Sequence, residues 1–159
     1  MKRLLIMLAA AATVVLAGCA GDDKPLAAGD TGATILASSK QSAEKEQGAR
    51  DIHDQDAFKK LWDEIYAGRT EPALPTVDFT KNTVVAYFLG EMKHGGFVLR
   101  VDRAEAVKDG YDVDFLVISP GNNCHNETQD ATQYFLVATV PTTQQVTFDV
   151  KNRETPGCR

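Results

Sequence analysis

The residues of this 159-residue chain that are able to do chemistry are few and scattered. His53, His94 and His125 stand singly, without the helical or hairpin spacing that His-based metal sites use, such as H-E-x-x-H. His94 and His125 fall in loop-like sequence near Glu91 and Glu127, the one pairing that would suit a loop-built metal site. Solvated loop histidines account for them more simply, so no metal is expected. Cys124 and His125 are adjacent, and adjacent side chains in a strand or turn point apart, whereas a nucleophile and its base usually come from distant positions. Asp112 and Asp114 lie two apart in a strand-like stretch, which puts both on one outward face and predicts solvation. Glu127 and Asp130 form a second carboxylate pair with no cleft to place it. There is no Gly-x-Ser-x-Gly elbow, and Gly95-Gly96 opens a strand, not the helix that a phosphate loop requires. The expectation is a protein without catalytic residues or a cofactor.

The strongest chemical signal is at the start of the chain. Met1-Lys2-Arg3 is positively charged, residues 4–16 are apolar except Thr13, and Leu16-Ala17-Gly18-Cys19 follows. That stretch falls short of the about 20 residues needed to span a bilayer and fits the apolar region of a secretory signal. The segment resembles a bacterial lipoprotein signal with its L-A-G-C lipobox. The resemblance implies that residues 1–18 are cleaved and that Cys19 carries a diacylglycerol thioether and further acyl chains such as palmitate. Two or more chains, at about 0.8 kcal/mol per buried methylene, anchor stably where one does not. The expected location is the cell envelope, and Ala20 after the lipidated Cys, in place of Asp, implies an outer membrane, facing the periplasm.

An oxidising compartment fits the remaining cysteines. With Cys19 acylated, Cys124 and Cys158 form an even pair and are expected to be disulfide-bonded. The bridge would close a loop of about 35 residues and stabilise by about 3–4 kcal/mol on the chain-entropy account. It would also order the terminal Pro156-Gly157-Cys158-Arg159. The whole chain has net charge −5, and residues 1–18 contribute only basic charge, so the remainder is more acidic still. This argues against nucleic acid and against electrostatic attraction to anionic lipid. The oligomeric state is left open.

The elements that must position any site follow in order. Residues 19–32 are rich in Gly, Ala and Asp and read as a flexible tether. Residues 33–159 suit one domain. Strands are expected at 33–38 and 48–53. Asp54 is placed as an N-cap for a helix over 55–67, with Phe58, Leu61, Trp62, Ile65 and Tyr66 on one face and Gly68 as the stop. From Asn82 the period changes to two: residues 83–89, 97–102, 112–117, 134–140 and 146–151 read as strands. Short turn-rich connections at 94–96, 108–110, 120–123 and 141–143 predict antiparallel neighbours in a five-strand meander. The expected class is α+β, a mostly antiparallel sheet or small β-sandwich with one packed helix. Trp62 and Tyr66 are expected in the core, and the alternation of Phe97 with Leu99 and Val101 also favours a core position.

Residues 84–141 resemble the C-terminal domain of the protease-complex subunit PrcB family. The similarity is carried by Val84-Val85-Ala86-Tyr87-Phe88-Leu89-Gly90, Gly95-Gly96-Phe97, Pro120-Gly121, Thr128-Gln129 and Tyr134-Phe135-Leu136-Val137, flanked by Phe58, Leu61-Trp62 and Val77-Asp78-Phe79. Phe97 stands where the family usually has Tyr, His94 where Thr is common, and Gln133 where Pro is frequent. The resemblance implies a protein-binding accessory subunit that stabilises a partner, with an extracellular protease as the partner class. His94, Gly95, Gly96, Phe97, Asn122 and Asn123 are the expected contacts, because loops on a rigid sheet carry recognition. A peptidase inhibitor and a structural envelope lipoprotein are the alternative readings.

Overall fold

A computed structural model describes residues 31–121, 124 and 131–157. The lipobox with Cys19, the loop residues Asn122, Asn123 and His125, and Cys158 lie outside the described residues. The described chain is α+β, with one helix and two sheets. Its elements are β1 (Thr34–Ser39), β2 (Gly48–Ile52), α1 (Gln55–Ile65), β3 (Thr83–Met92), β4 (Val98–Val107), β5 (Gly110–Ser119), β6 (Thr132–Val140) and β7 (Val146–Glu154).

The helix forms for the reasons its periodicity implies. Asp54 takes an extended conformation and its carboxylate accepts from the Ala57 N–H at 2.8 Å, satisfying one of the orphan donors of the first turn. Phe58, Leu61, Trp62 and Ile65 are all buried on one face. The helix ends at Ile65, two residues earlier than expected, with the Arg69 guanidinium donating to the Ile65 carbonyl at 2.7 Å. The Trp62 indole N–H donates to the Pro72 carbonyl at 2.9 Å, which ties the proline-containing linker to the helix.

The strands do not make a meander. β4 and β5 form a hairpin in one sheet, while β3 pairs with β6 in the other, giving sheets ordered β1-β6-β3-β2 and β4-β5-β7. Every pairing is antiparallel except β5 with β7, which is parallel. The physical reason is parity. β6 crosses to the opposite sheet between β5 and β7, so two reversals return β7 to the direction of β5. Sequence periodicity reports which residues face inward and carries no information on which sheet a strand joins.

Two apolar clusters divide the interior. Val85, Tyr87, Leu136, Ala138 and Val140 of the four-stranded sheet meet Val101, Val113, Phe115 and Val117 of the three-stranded sheet. The other face of the four-stranded sheet, with Val84, Ala86, Phe88, Phe135 and Val137, packs on Phe58, Leu61, Trp62 and Ile65 of α1. The result is three layers: helix, four strands, three strands. It accounts for the unbroken apolar run in β3, since a strand covered on both faces has no polar position to alternate with. Among the described residues no helix is long and apolar enough to cross a membrane.

Candidate functional site

The strand directions bring the strand ends that flank the candidate recognition loops to one end of the sandwich. β1 ends, β2 begins, β3 ends and β6 begins there, as the register Ser39 to Phe135, Gly48 to Phe88 and Thr132 to Met92 requires. β4 begins and β5 ends at the same end, with Val98 opposite Ile118. The β1–β2 loop is laced to it by the Glu91 N–H donating to the Lys45 carbonyl and the Gln133 N–H donating to the Lys40 carbonyl, both at 3.1 Å.

The tip at residues 93–97 is an ordered aromatic surface. Gly96 has φ +93°, the left-handed region that glycine tolerates, which lets the chain reverse into β4. The exposed His94 ring stacks on Phe97 with centroids 5.3 Å apart, and Phe97 meets Tyr134 edge-on at 5.9 Å. The Gly96 N–H donates to the Tyr134 hydroxyl at 3.0 Å, and the Thr132 hydroxyl donates to the His94 carbonyl at 3.1 Å. A ring nitrogen of His94, Nδ1, lies 3.1 Å from the Gly95 carbonyl, which fixes the ring orientation. Phe97 is half-buried and packs against the inter-sheet cluster, so it is both core edge and platform.

Tyr134 and Thr132 belong to this surface and are not singled out by sequence spacing. A bulge at Leu89 shifts the β3–β6 register so that Tyr134 stands opposite Gly90. The only signal in the sequence is an aromatic residue opening a strand.

The start of the β5–β6 connection, Pro120-Gly121, is held by the C-terminal tail. The Thr155 N–H donates to the Ser119 carbonyl at 3.0 Å, and the Gly121 N–H donates to the Thr155 hydroxyl at 2.8 Å. A Cβ on Gly121 would stand 2.3 Å from the Thr155 carbonyl oxygen and 2.7 Å from the Gly157 nitrogen, so only glycine fits. The parallel β5–β7 pairing therefore delivers the segment before Cys124 and the segment before Cys158 side by side.

Other sequence candidates lie elsewhere. His53 sits at the opposite end of β3, with Nε2 2.9 Å from Asp51 and Nδ1 3.3 Å from the Thr83 hydroxyl. This carboxylate–imidazole–hydroxyl series has no accessible nucleophile: Thr83 is fully buried and its hydroxyl donates to the Thr142 carbonyl at 2.7 Å. Among the described residues no cluster of three metal-ligating side chains exists. No family model matches the chain, and neither a curated protein nor a solved structure does.

One carboxylate departs from expectation. Asp112 and Asp114 share the outer face of β5, but Asp114 is only 2 % exposed. Arg103 Nε lies 2.9 Å and Lys151 Nζ 2.7 Å from its Oδ2. The cause is a bulge in β4: Val101 pairs with Phe115, yet Arg103 pairs with Asp114. Without the extra residue Asp102 would stand opposite Asp114, carboxylate against carboxylate. Burial pushes the Asp114 carboxyl up, but hydrogen bonds and charge from Arg103 and Lys151 outweigh it and hold the group below its ordinary value.

Proposed function

We propose that this chain is a lipid-anchored, non-enzymatic protein-binding module of the bacterial cell envelope, of the PrcB C-terminal kind, with an envelope or secreted protease as the partner class. Cys19 carries the anchor, and Cys124 bonds Cys158 across the tail that braces the recognition loop. Anchoring raises the effective concentration of the partner at the membrane. The observation that carries the reading is the convergence at one end of the sandwich. The β1–β2 and β3–β4 connections, the end of β5 and the start of β6 lie at that end, which carries the His94, Phe97 and Tyr134 rings. Rigid aromatic groups held by backbone hydrogen bonds bind with little entropy to lose, which is how recognition anchors work.

The test is affinity isolation from detergent-solubilised membranes, using the full chain at native level beside a His94→Ala/Phe97→Ala bait. A stoichiometric partner recovered with the native bait and lost with the variant is expected. Equal recovery by both baits, or none by the native one, contradicts the proposal. Titrating the native chain against the recovered peptidase then distinguishes a stabiliser, which prolongs activity, from an inhibitor, which abolishes it.

A further inference from the structure

The outer face of the β4-β5-β7 sheet has no layer over it among the described residues, and its charge is sorted along the strands. Nearest the loop end, Val98, Ile118 and Arg153 stand in one cross-strand row; Arg100, Leu116 and Lys151 form the next. Beyond the bulge come Arg103, Asp114 and Asp149, and then Glu105, Asp112 and Thr147. The loop-end half is therefore cationic and apolar, and the hairpin half is acidic.

Two features set the loop-end half apart. Val98 is 44 % exposed, more than any other large apolar residue among those described, and it lies in register beside Ile118. Isolated exposed apolar residues are ordinary, but this one is framed by guanidinium groups. Arg153 has no ion-pair partner among the described residues, and Arg100 has only Asp102, at 3.9 Å. Lys151, by contrast, is committed to Asp114 and Asp102. A chain of net charge −5 thus exposes two weakly committed arginines around an apolar patch, near Phe97 and the tail-held Gly121.

We infer that this face docks an acidic segment of the protein partner, carboxylates on Arg100 and Arg153 and an apolar side chain on Val98 and Ile118. Arginine suits the role because its planar fork takes a carboxylate through two parallel hydrogen bonds. The opposite half of the same face, with Glu105, Asp112 and Asp149, repels such a segment and so sets its position along the strands. The inference rests on the protein-binding reading above and extends it from the loop tip to the adjoining sheet.

The probe is a short labelled peptide of glutamates interrupted by two leucines, beside a counterpart with lysines in place of the glutamates. Both are titrated by fluorescence anisotropy against the full processed chain in non-ionic detergent. The glutamate peptide is expected to bind and the lysine peptide not to. Arg100→Glu/Arg153→Glu should weaken binding at least about ten-fold, and added salt should weaken it in the native chain. Arg100→Gln/Arg153→Gln provides a milder pair with the same direction, and circular dichroism verifies that both variants fold. Equal binding of the two peptides, or unchanged affinity in both folded variants, overturns the inference. If the glutamate peptide fails to bind while partner isolation still depends on His94 and Phe97, only this inference falls. If both fail, the protein-binding reading falls with it.

Discussion

The two sheets of this domain are built from similar strands and live in different surroundings. The four-stranded sheet is covered on both faces, by the helix and by the second sheet, and consecutive residues of β3 such as Val84 and Val85 are both fully buried. The three-stranded sheet is covered on one face only, and its other face carries charge. The difference teaches where function is able to reside. A sheet closed on both sides contributes stability and positions its ends, whereas a half-open sheet has surface to offer a partner.

The comparison breaks most visibly when the same change is made in the two settings. Trp62→Ala under the closed sheet and Phe115→Ala between the sheets should each cost about 3–5 kcal/mol in urea denaturation. Val84→Ala and Val85→Ala, on opposite faces of β3, should each cost about 2 kcal/mol. Val98→Ala on the open face should stay within about 0.5 kcal/mol. A penalty at Val98 equal to that at Val84 would show that the open face is covered.

Gly121 sharpens the contrast at the loop end. Gly121→Ala forces its Cβ into the Thr155 carbonyl, so the tail must move, at roughly 1–3 kcal/mol. Faster amide exchange at Thr155, whose N–H donates to Ser119, is the expected signature. Unchanged exchange would remove the tail from the account of the loop.

Asp114 tests the open face at its one buried charge. Asp114→Ala should cost about 1–3 kcal/mol, less than a fully buried ion pair, because the Arg103 and Lys151 side chains left behind remain 46 % exposed. The pH dependence follows from its lowered value. The folded state holds the carboxylate more firmly than the unfolded chain, so the contribution is complete above the ordinary value of 3.8 and is lost as pH falls through the lower folded one. Denaturation midpoints below about pH 4 should therefore fall less steeply in Asp114→Asn than in the native chain. Parallel slopes would contradict the assignment.

Much of the fold is legible in the sequence because the underlying signals are local. The Asp54 cap and the Phe58-Leu61-Trp62-Ile65 stripe define the helix, and the period-two alternation around Phe115 gives the inward face of β5. The sheet that each strand joins is not legible, since β6 leaves its sequence neighbours for β3 and no residue of β6 announces it. At the site, Gly95-Gly96-Phe97 is readable as a turn with an aromatic exit, whereas Tyr134 reaches it only through the Leu89 bulge. The burial of Asp114 likewise depends on the bulge that swaps Asp102 for Arg103. Bulges insert one residue and leave composition untouched, so beyond them strict alternation misreads both face and partner: Val101 and Ala104, three apart, both face inward, and Arg103 faces out.

The central claim is that the loop end grips a protein partner. Site-specific photo-crosslinking in intact cells tests it most directly, with the photoreactive residue placed at His94 in one strain and at Asp109, in the hairpin turn at the far end, in another. The account predicts one discrete crosslinked partner from position 94 and none from position 109. The same adduct from both positions, or none from position 94, would contradict it.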